Sequence, residues 1–379
     1  MDAGLPCMDR RPAWCDRVAL VLQGGGALGA YQAGVYQALN EAGLAPDWIA
    51  GTSIGSVTGA IIAGNRPEDR LHRLRDFWTT VTARPGAVIP LRFGEARKAA
   101  NIWSALLTMA LGQPGLFSPA MPNFLPVALG APLPTSLYDS APLRETLLRL
   151  VDFGLLNRGG TRYAAGAVNV ETGRTAWFDS ATMAILPEHV MASAATPPGL
   201  SMVRIGSDFY WDGGLGAHTP LQHVLDEAGG TSVLALQVDA FGAAGALPRD
   251  LWDVLSRQTD IRQAGRTRLA TEAALDRIRQ ARLLQDALAK APAAALTDDE
   301  HALRQRLAAT PRVVLLTLIY QQNAYDGQAK GYEFTAPAMR EHWDAGYRDT
   351  VRSLRNKDWL AEPAAAGGVA VHDVHGIEC

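Results

Sequence analysis

The sequence predicts an α/β protein built on a mostly parallel central sheet and followed by a mainly helical C-terminal extension. Three observations lead there. Apolar runs of strand length, rich in Val, Leu and Ala, recur at residues 17–23, 162–170, 232–240 and 312–320. Such unbroken apolar runs suit strands covered on both faces, as in parallel sheets. Helical periodicity lies between several of them, the pattern of right-handed crossovers. Finally, residues 248–309 are rich in Arg, Gln, Leu and Ala and carry helical patterning only.

Along the chain, residues 17–23 (RVALVLQ) form the first strand, and the glycines of GGGALG follow at 24–29. A helix comes next, with Tyr31, Val35, Leu39 and Ala42 on one apolar stripe and Gly43 as its stop. A short strand at 47–50 runs into GTSIG, and a helix of small residues continues through Ala63. Residues 84–134 break this regularity with many prolines and with apolar stretches such as IWSALLTMALG. They read as an irregular packed insertion, or alternatively as a lid or lipid-facing surface. A helix at 141–155, strands at 162–170 and 174–180, a helix at 190–200 ended by two prolines, a hairpin at 201–214 and a strand at 232–240 follow. Residues 248–309 predict an antiparallel helix pair, 312–320 a strand and 337–355 a closing helix, while the tail after Pro363 reads as loose. The expected division is an N-terminal tail (1–16), a first domain (17–240, with the insertion at 84–134), an extension (241–362) and a flexible tail (363–379).

The bulk numbers exclude some functions. The 379 residues are 48% hydrophobic and 19% charged, with a net charge of -3. No basic field is available to attract nucleic acid, and contact with a membrane or lipid particle would have to rest on apolar surface. Cys7, Cys15 and Cys379 are odd in number and lack metal-ligand spacing, which favours a reducing compartment. The apolar run 18–22 is too short for a signal-peptide core, so a cytoplasmic protein, at most peripheral to membrane, is expected. His72, His189, His223, His301 and His342 read as surface or packing residues. No metal and no cofactor are predicted, and a homo-oligomer is compatible with the sequence.

Three short motifs carry chemistry. In Gly51-Thr52-Ser53-Ile54-Gly55 the serine stands at a tight strand-to-helix turn that holds its hydroxyl out over the sheet edge. The helix that follows aims its N-terminal N–H groups at developing negative charge. Gly24, Gly26 and Gly29 have the spacing of a dinucleotide fingerprint, with Asp47 in the range of its ribose-binding acid. But Asp47 begins its strand, and the strand's end carries Ser53. The glycines therefore read as bare N–H donors for an oxyanion. The third motif, Asp212-Gly213-Gly214, reads as a hairpin turn or, paired with an elbow serine, as the source of a base.

GGGALG, GTSIG and DGG in this order resemble the patatin-like phospholipases, over roughly residues 17–240, and ASAATPPG and Pro220 add to the likeness. Residues 320–354 resemble an extension found on a bacterial subgroup of that family. The resemblance implies a patatin-like three-layer fold and a lipid or acyl-ester hydrolase with Ser53 as nucleophile and Asp212 as its partner. It implies an oxyanion hole from Gly24, Gly25 and Gly26, with Gly29, Gly51, Gly55, Gly213 and Gly214 supporting elbow and loop. Trp211 is expected to help desolvate Asp212. Family members usually carry Lys or Arg in the glycine loop, where Ala27 and Leu28 stand here. His218 replaces the usual Asn, either as a structural substitution or as an auxiliary in proton transfer. The missing cation leaves a short-chain ester, thioester or polyester substrate open, and a catalytically weak lipid-binding scaffold is the non-enzymatic alternative.

Overall fold

The computed structural model describes residues 11–83, 94–120, 134–216, 219–292, 296–321, 328–355, 359, 361 and 368–373. The first strands and helices are β1 (Arg17–Leu22), α1 (Gly29–Glu41), β2 (Trp48–Thr52), α2 (Ile54–Ala63), α3 (Arg70–Val81) and α4 (Gly94–Leu111). A two-stranded ribbon of β3 (Ser118–Pro119) and β4 (Tyr138–Asp139) precedes α5 (Ala141–Leu150) and α6 (Phe153–Arg158). Then come β5 (Arg162–Asn169), β6 (Thr175–Asp179), α7 (Pro187–Ser193), β7 (Val203–Ile205), β8 (Asp208–Asp212), α8 (Leu221–Asp226) and β9 (Ser232–Asp239). The C-terminal part holds α9 (Leu251–Ala289), α10 (Asp298–Leu307), β10 (Arg312–Ile319), α11 (Ala336–Arg355) and β11 (Val369–Asp373).

Among the described residues one nine-stranded sheet runs β11-β10-β9-β1-β2-β5-β8-β7, with β6 also paired to β5. The pairings from β11 through β5 are parallel, and those of β6, β7 and β8 are antiparallel. Strand alternation divides the apolar residues between two cores. Val18, Leu20 and Leu22 face a large cluster with α1, α2, α3 and α11. Ala19 and Val21 face a smaller one with α8 and α9. This is the three-layer arrangement that the family resemblance implies, built on the parallel strands that the apolar runs predict.

Four features differ from the sequence-based expectation. Helix α1 is buried nearly all round rather than along one stripe, because α11 crosses its other side. The crossing is glycine to glycine: a Cβ at Gly34 would overlap the Trp343 carbonyl, and one at Gly346 would overlap that of Tyr31. Within the expected irregular insertion, residues 94–111 form the regular helix α4, while 84–93 and 121–133 lie outside the described residues. The tail expected to be loose contributes β11, paired in parallel with β10 from Val313↔Val369 to Thr317↔Asp373. And the boundary expected at 240/241 does not interrupt the sheet, since β9 pairs with β10 from Arg312↔Ser232 to Ile319↔Asp239.

Candidate active site

The carboxyl ends of β1, β2 and β8 converge, and each carries one of the three motifs. Ser53 follows β2 with φ 57 and ψ -128, the one non-glycine residue with positive φ among the described residues. That backbone costs about 1–3 kcal/mol and persists only where its surroundings hold it. The holding contacts are Ser53 N–H to the Ser193 carbonyl (3.1 Å) and Ser56 N–H to the Ser53 carbonyl (2.9 Å). Gly51 and Gly55 are needed because backbone passes too close: a Cβ at Gly51 would overlap the Gly55 carbonyl, and one at Gly55 that of Leu22. Helix α2 begins at the next residue, so its positive end adjoins the half-buried hydroxyl.

Asp212 closes β8, and its N–H donates to the Ala195 carbonyl at 3.0 Å. Its carboxylate accepts hydrogen bonds from the Thr196 hydroxyl (2.6 Å, to Oδ2) and from Gly214 N–H (2.7 Å, to Oδ1). Ser53 lies near enough to influence its titration. Burial pushes the Asp212 pKa above the ordinary carboxylate value, against the lowering effect of the Thr196 and Gly214 bonds and of nearby Ser53. As the adjacent residue of β8, Trp211 alternates to the opposite face of the strand from Asp212. Gly213 packs where a Cβ would overlap the Gly166 carbonyl.

The glycine loop lies against the serine. A Cβ at Gly24 would stand 2.9 Å from Ser53 Cβ and 3.6 Å from its Oγ. Gly25 closes on Ala240, Gly26 takes φ +59, and Gly29 packs on Ile54. Among the described residues, none accepts a hydrogen bond from the N–H groups of Gly24, Gly25 or Gly26. Ala27 and Leu28, at the positions where the family carries a cation, are buried in the core. Asp47 stands at the opposite, amino-terminal end of the sheet, paired with Arg11 at 2.8 Å, which removes the dinucleotide reading. His218 lies outside the described residues. No group of three or more His, Cys, Asp or Glu side chains suited to a metal occurs among the described residues.

Ser193 and Thr196 reach the site without having been singled out in the sequence. Their segment, ASAATPPG, signals a helix end, but nothing in it marks a threonine aimed at a strand sixteen residues on. Gly331, whose carbonyl seats against Gly26, lies in a distant part of the chain and carries no local signal.

Comparison with known proteins adds the family. A family model described as patatin-like phospholipase matches residues 20–225, and a second, described as patatin phospholipase, matches residues 261–366. Patatin-like phospholipase domain-containing protein 6 of Homo sapiens is 43% identical over 77 residues, 20% of this chain and 6% of that protein. Lysophospholipase nte1 of Aspergillus niger is 40% identical over 98 residues, 26% of this chain and 5% of that protein. The matched stretch is thus a small fraction of either relative. Among solved structures, VipD from Legionella pneumophila aligns over 90% of this chain and 67% of its own, at 16% identity and a TM-score of 0.40, too low to bear on fold or function. Since the first family model by itself spans more than half of the chain, the chain belongs to the patatin-like phospholipase family.

Proposed function

We propose that this protein is a serine acyl hydrolase for lipid carboxylic esters, with Ser53 as nucleophile and Asp212 as the group that takes its proton. The observation that carries the reading is the convergence of Ser53, the buried Asp212 carboxylate and the glycine loop, with Gly24 packed against Ser53 and the serine near enough to lower the Asp212 pKa. A free aspartate, with a pKa of about 3.9, is a weak base for a serine hydroxyl. Burial strengthens it, and the Thr196 and Gly214 bonds hold it in place.

In the proposed cycle Ser53 Oγ attacks the acyl carbonyl while Asp212 receives the hydroxyl proton. Negative charge on the carbonyl oxygen falls to the N–H groups of Gly24, Gly25 and Gly26, each such donor being worth roughly 3–4 kcal/mol in the transition state. The alcohol or lysolipid departs with the proton, and water then hydrolyses the acyl-Ser53 ester with Asp212 again as base.

A lipid substrate is supported by apolar surface near the site. Trp103, Leu106, Met109 and Leu111 of α4 are exposed, as is Leu137. The Leu137 N–H bonds the Pro198 and Gly199 carbonyls, just beyond Thr196, and the Tyr138 hydroxyl donates to the Met109 carbonyl. Long acyl chains and peripheral contact with a lipid surface suit this face. The lack of a cation at Ala27 and Leu28 favours a second reading, a hydrolase of short-chain or polymeric esters. Hydrolysis of p-nitrophenyl esters of graded chain length, with Ser53→Ala as control, tests the proposal. Serine-dependent turnover that rises with acyl length supports the lipid reading, a short-chain optimum selects the second, and equal rates in variant and wild type overturn both.

A further inference from the structure

We infer that Lys330 is a positioning residue for the glycine loop: its buried ion pair with Asp260 holds the turn Gln328–Tyr332 against Gly26. The inference rests on the hydrolase reading above and extends it to the C-terminal part of the chain.

The turn Gln328–Tyr332 packs on α4, α9 and the 3-10 turn Gly26–Leu28. The Gly331 carbonyl oxygen occupies the space that a Cβ on Gly26 would need. In return, a Cβ on Gly331 would come within 3.4 Å of the Gly25 carbonyl oxygen. Two backbones thus meet glycine on glycine at the loop whose Gly24 packs against Ser53. Lys330, the preceding residue, sends Nζ to Asp260 Oδ1 on α9 at 2.6 Å, with side-chain exposures of only 5% and 2%. The ammonium also lies 5.6 Å from the centre of the Phe241 ring. Phe241 directly follows Ala240, the residue on which Gly25 closes. Both outer sides of the loop are therefore fixed by residues beyond β9.

The helix that leaves the loop is held the same way. The Tyr31 hydroxyl of α1 donates to Asp349 at 3.0 Å, and Trp343 Nε1 donates to Gln37 at 2.7 Å. Glycine backbone is the most mobile a chain can offer. Oxyanion donors, by contrast, act only when held in place, and a displacement of about 1 Å can cost on the order of 100-fold in rate. A buried ion pair adds little net stability, but its direction is fixed. Here that direction sets where Gly331 sits.

Two variants of the full chain test this. Lys330→Met combined with Asp260→Leu removes both charges of the pair together, so that neither is left buried without the other. Gly331→Val adds branched bulk beside the Gly25 carbonyl and serves if the first variant does not fold, folding being followed by thermal midpoint. In the folded variants kcat is expected to fall by about 10–100-fold with KM within about twofold. Affinity for a trifluoromethyl ketone, which forms an oxyanion on Ser53, should fall by the same factor, while affinity for the unreactive ether analogue of the substrate stays put. Wild-type turnover together with unchanged kcat and ketone affinity in folded variants overturns the inference alone, as do equal losses of kcat and ether affinity. Absence of Ser53-dependent turnover in the wild type overturns the hydrolase reading, and this inference with it.

Discussion

The carboxyl ends of β8 and β9 each bury an aspartate, and the two are held in opposite ways. Asp212 accepts from Thr196 and Gly214 and lies near Ser53. Asp239 accepts from Gln237 at 2.8 Å, and its Oδ1 has no hydrogen-bond partner among the described residues. Burial raises both pKa values, that of Asp239 to about 7. A raised carboxylate is therefore no sign of chemistry by itself. What distinguishes Asp212 is a hydroxyl within reach and donors that orient it. Asp239 instead sits in a polar cluster beneath the loop, beside Gln23, which bonds Ala240 N–H and Thr267.

The largest test of this contrast is Asp212→Asn. The amide keeps the shape but cannot take a proton, and kcat should fall by roughly 10⁴-fold, the scale seen when a comparable carboxylate is neutralised. A loss under tenfold in ester-hydrolysis assays would move Asp212 out of the chemistry. Next in size is Thr196→Val, with a loss of about tenfold. This hydrogen bond stabilises the ionised Asp212 carboxylate, so its loss should move the acid limb of kcat/KM to higher pH. In the wild type that limb lies above the ~3.9 of a free aspartate, activity being lost as pH falls through it. An unmoved limb in the variant would detach Thr196 from the titrating group.

Asp239→Asn should act on stability, with kcat/KM within about threefold of wild type. Because the folded state holds this proton up to about pH 7 and the unfolded chain only to about 4, Asp239 lowers stability progressively as pH rises between those values. The variant should be more stable at pH 8 by about 1–3 kcal/mol and gain nothing below pH 4, read from urea unfolding at both pH values. A gain that did not depend on pH would refute the assignment.

The site was legible in sequence to the extent that backbone strain dictates residue type. Gly51, Ser53 and Gly55 announce themselves because a turn with φ 57 at serine and carbonyls packed on both glycines admits little else. Asp212 was legible as a turn residue or, paired with an elbow serine, as a candidate base, and the family resemblance favoured the second. Thr196 and Ser193 act through hydrogen bonds that bring distant segments together, and no periodicity encodes those. The strands were readable as apolar runs, but β11 was not. It follows a stretch rich in Pro, Ala and Gly, and its exposed alternate residues leave no buried run. Helix α1 looked one-sided because several residues off its apolar stripe are small or polar: Gly34 is covered by α11, while Gln32 bonds the Gln23 carbonyl. Neither the Lys330–Asp260 pair nor the Gly331 contact has any local signature.

The claim on which the rest depends is that Ser53 is a nucleophile activated by Asp212. Peptide mass spectrometry after brief treatment with a fluorophosphonate tests it most directly. The account predicts one phosphonyl group on the Ser53 peptide of the wild type, and labelling slowed by about 10³-fold or more in Asp212→Asn. Label on another residue, or equal rates in the two proteins, would contradict it.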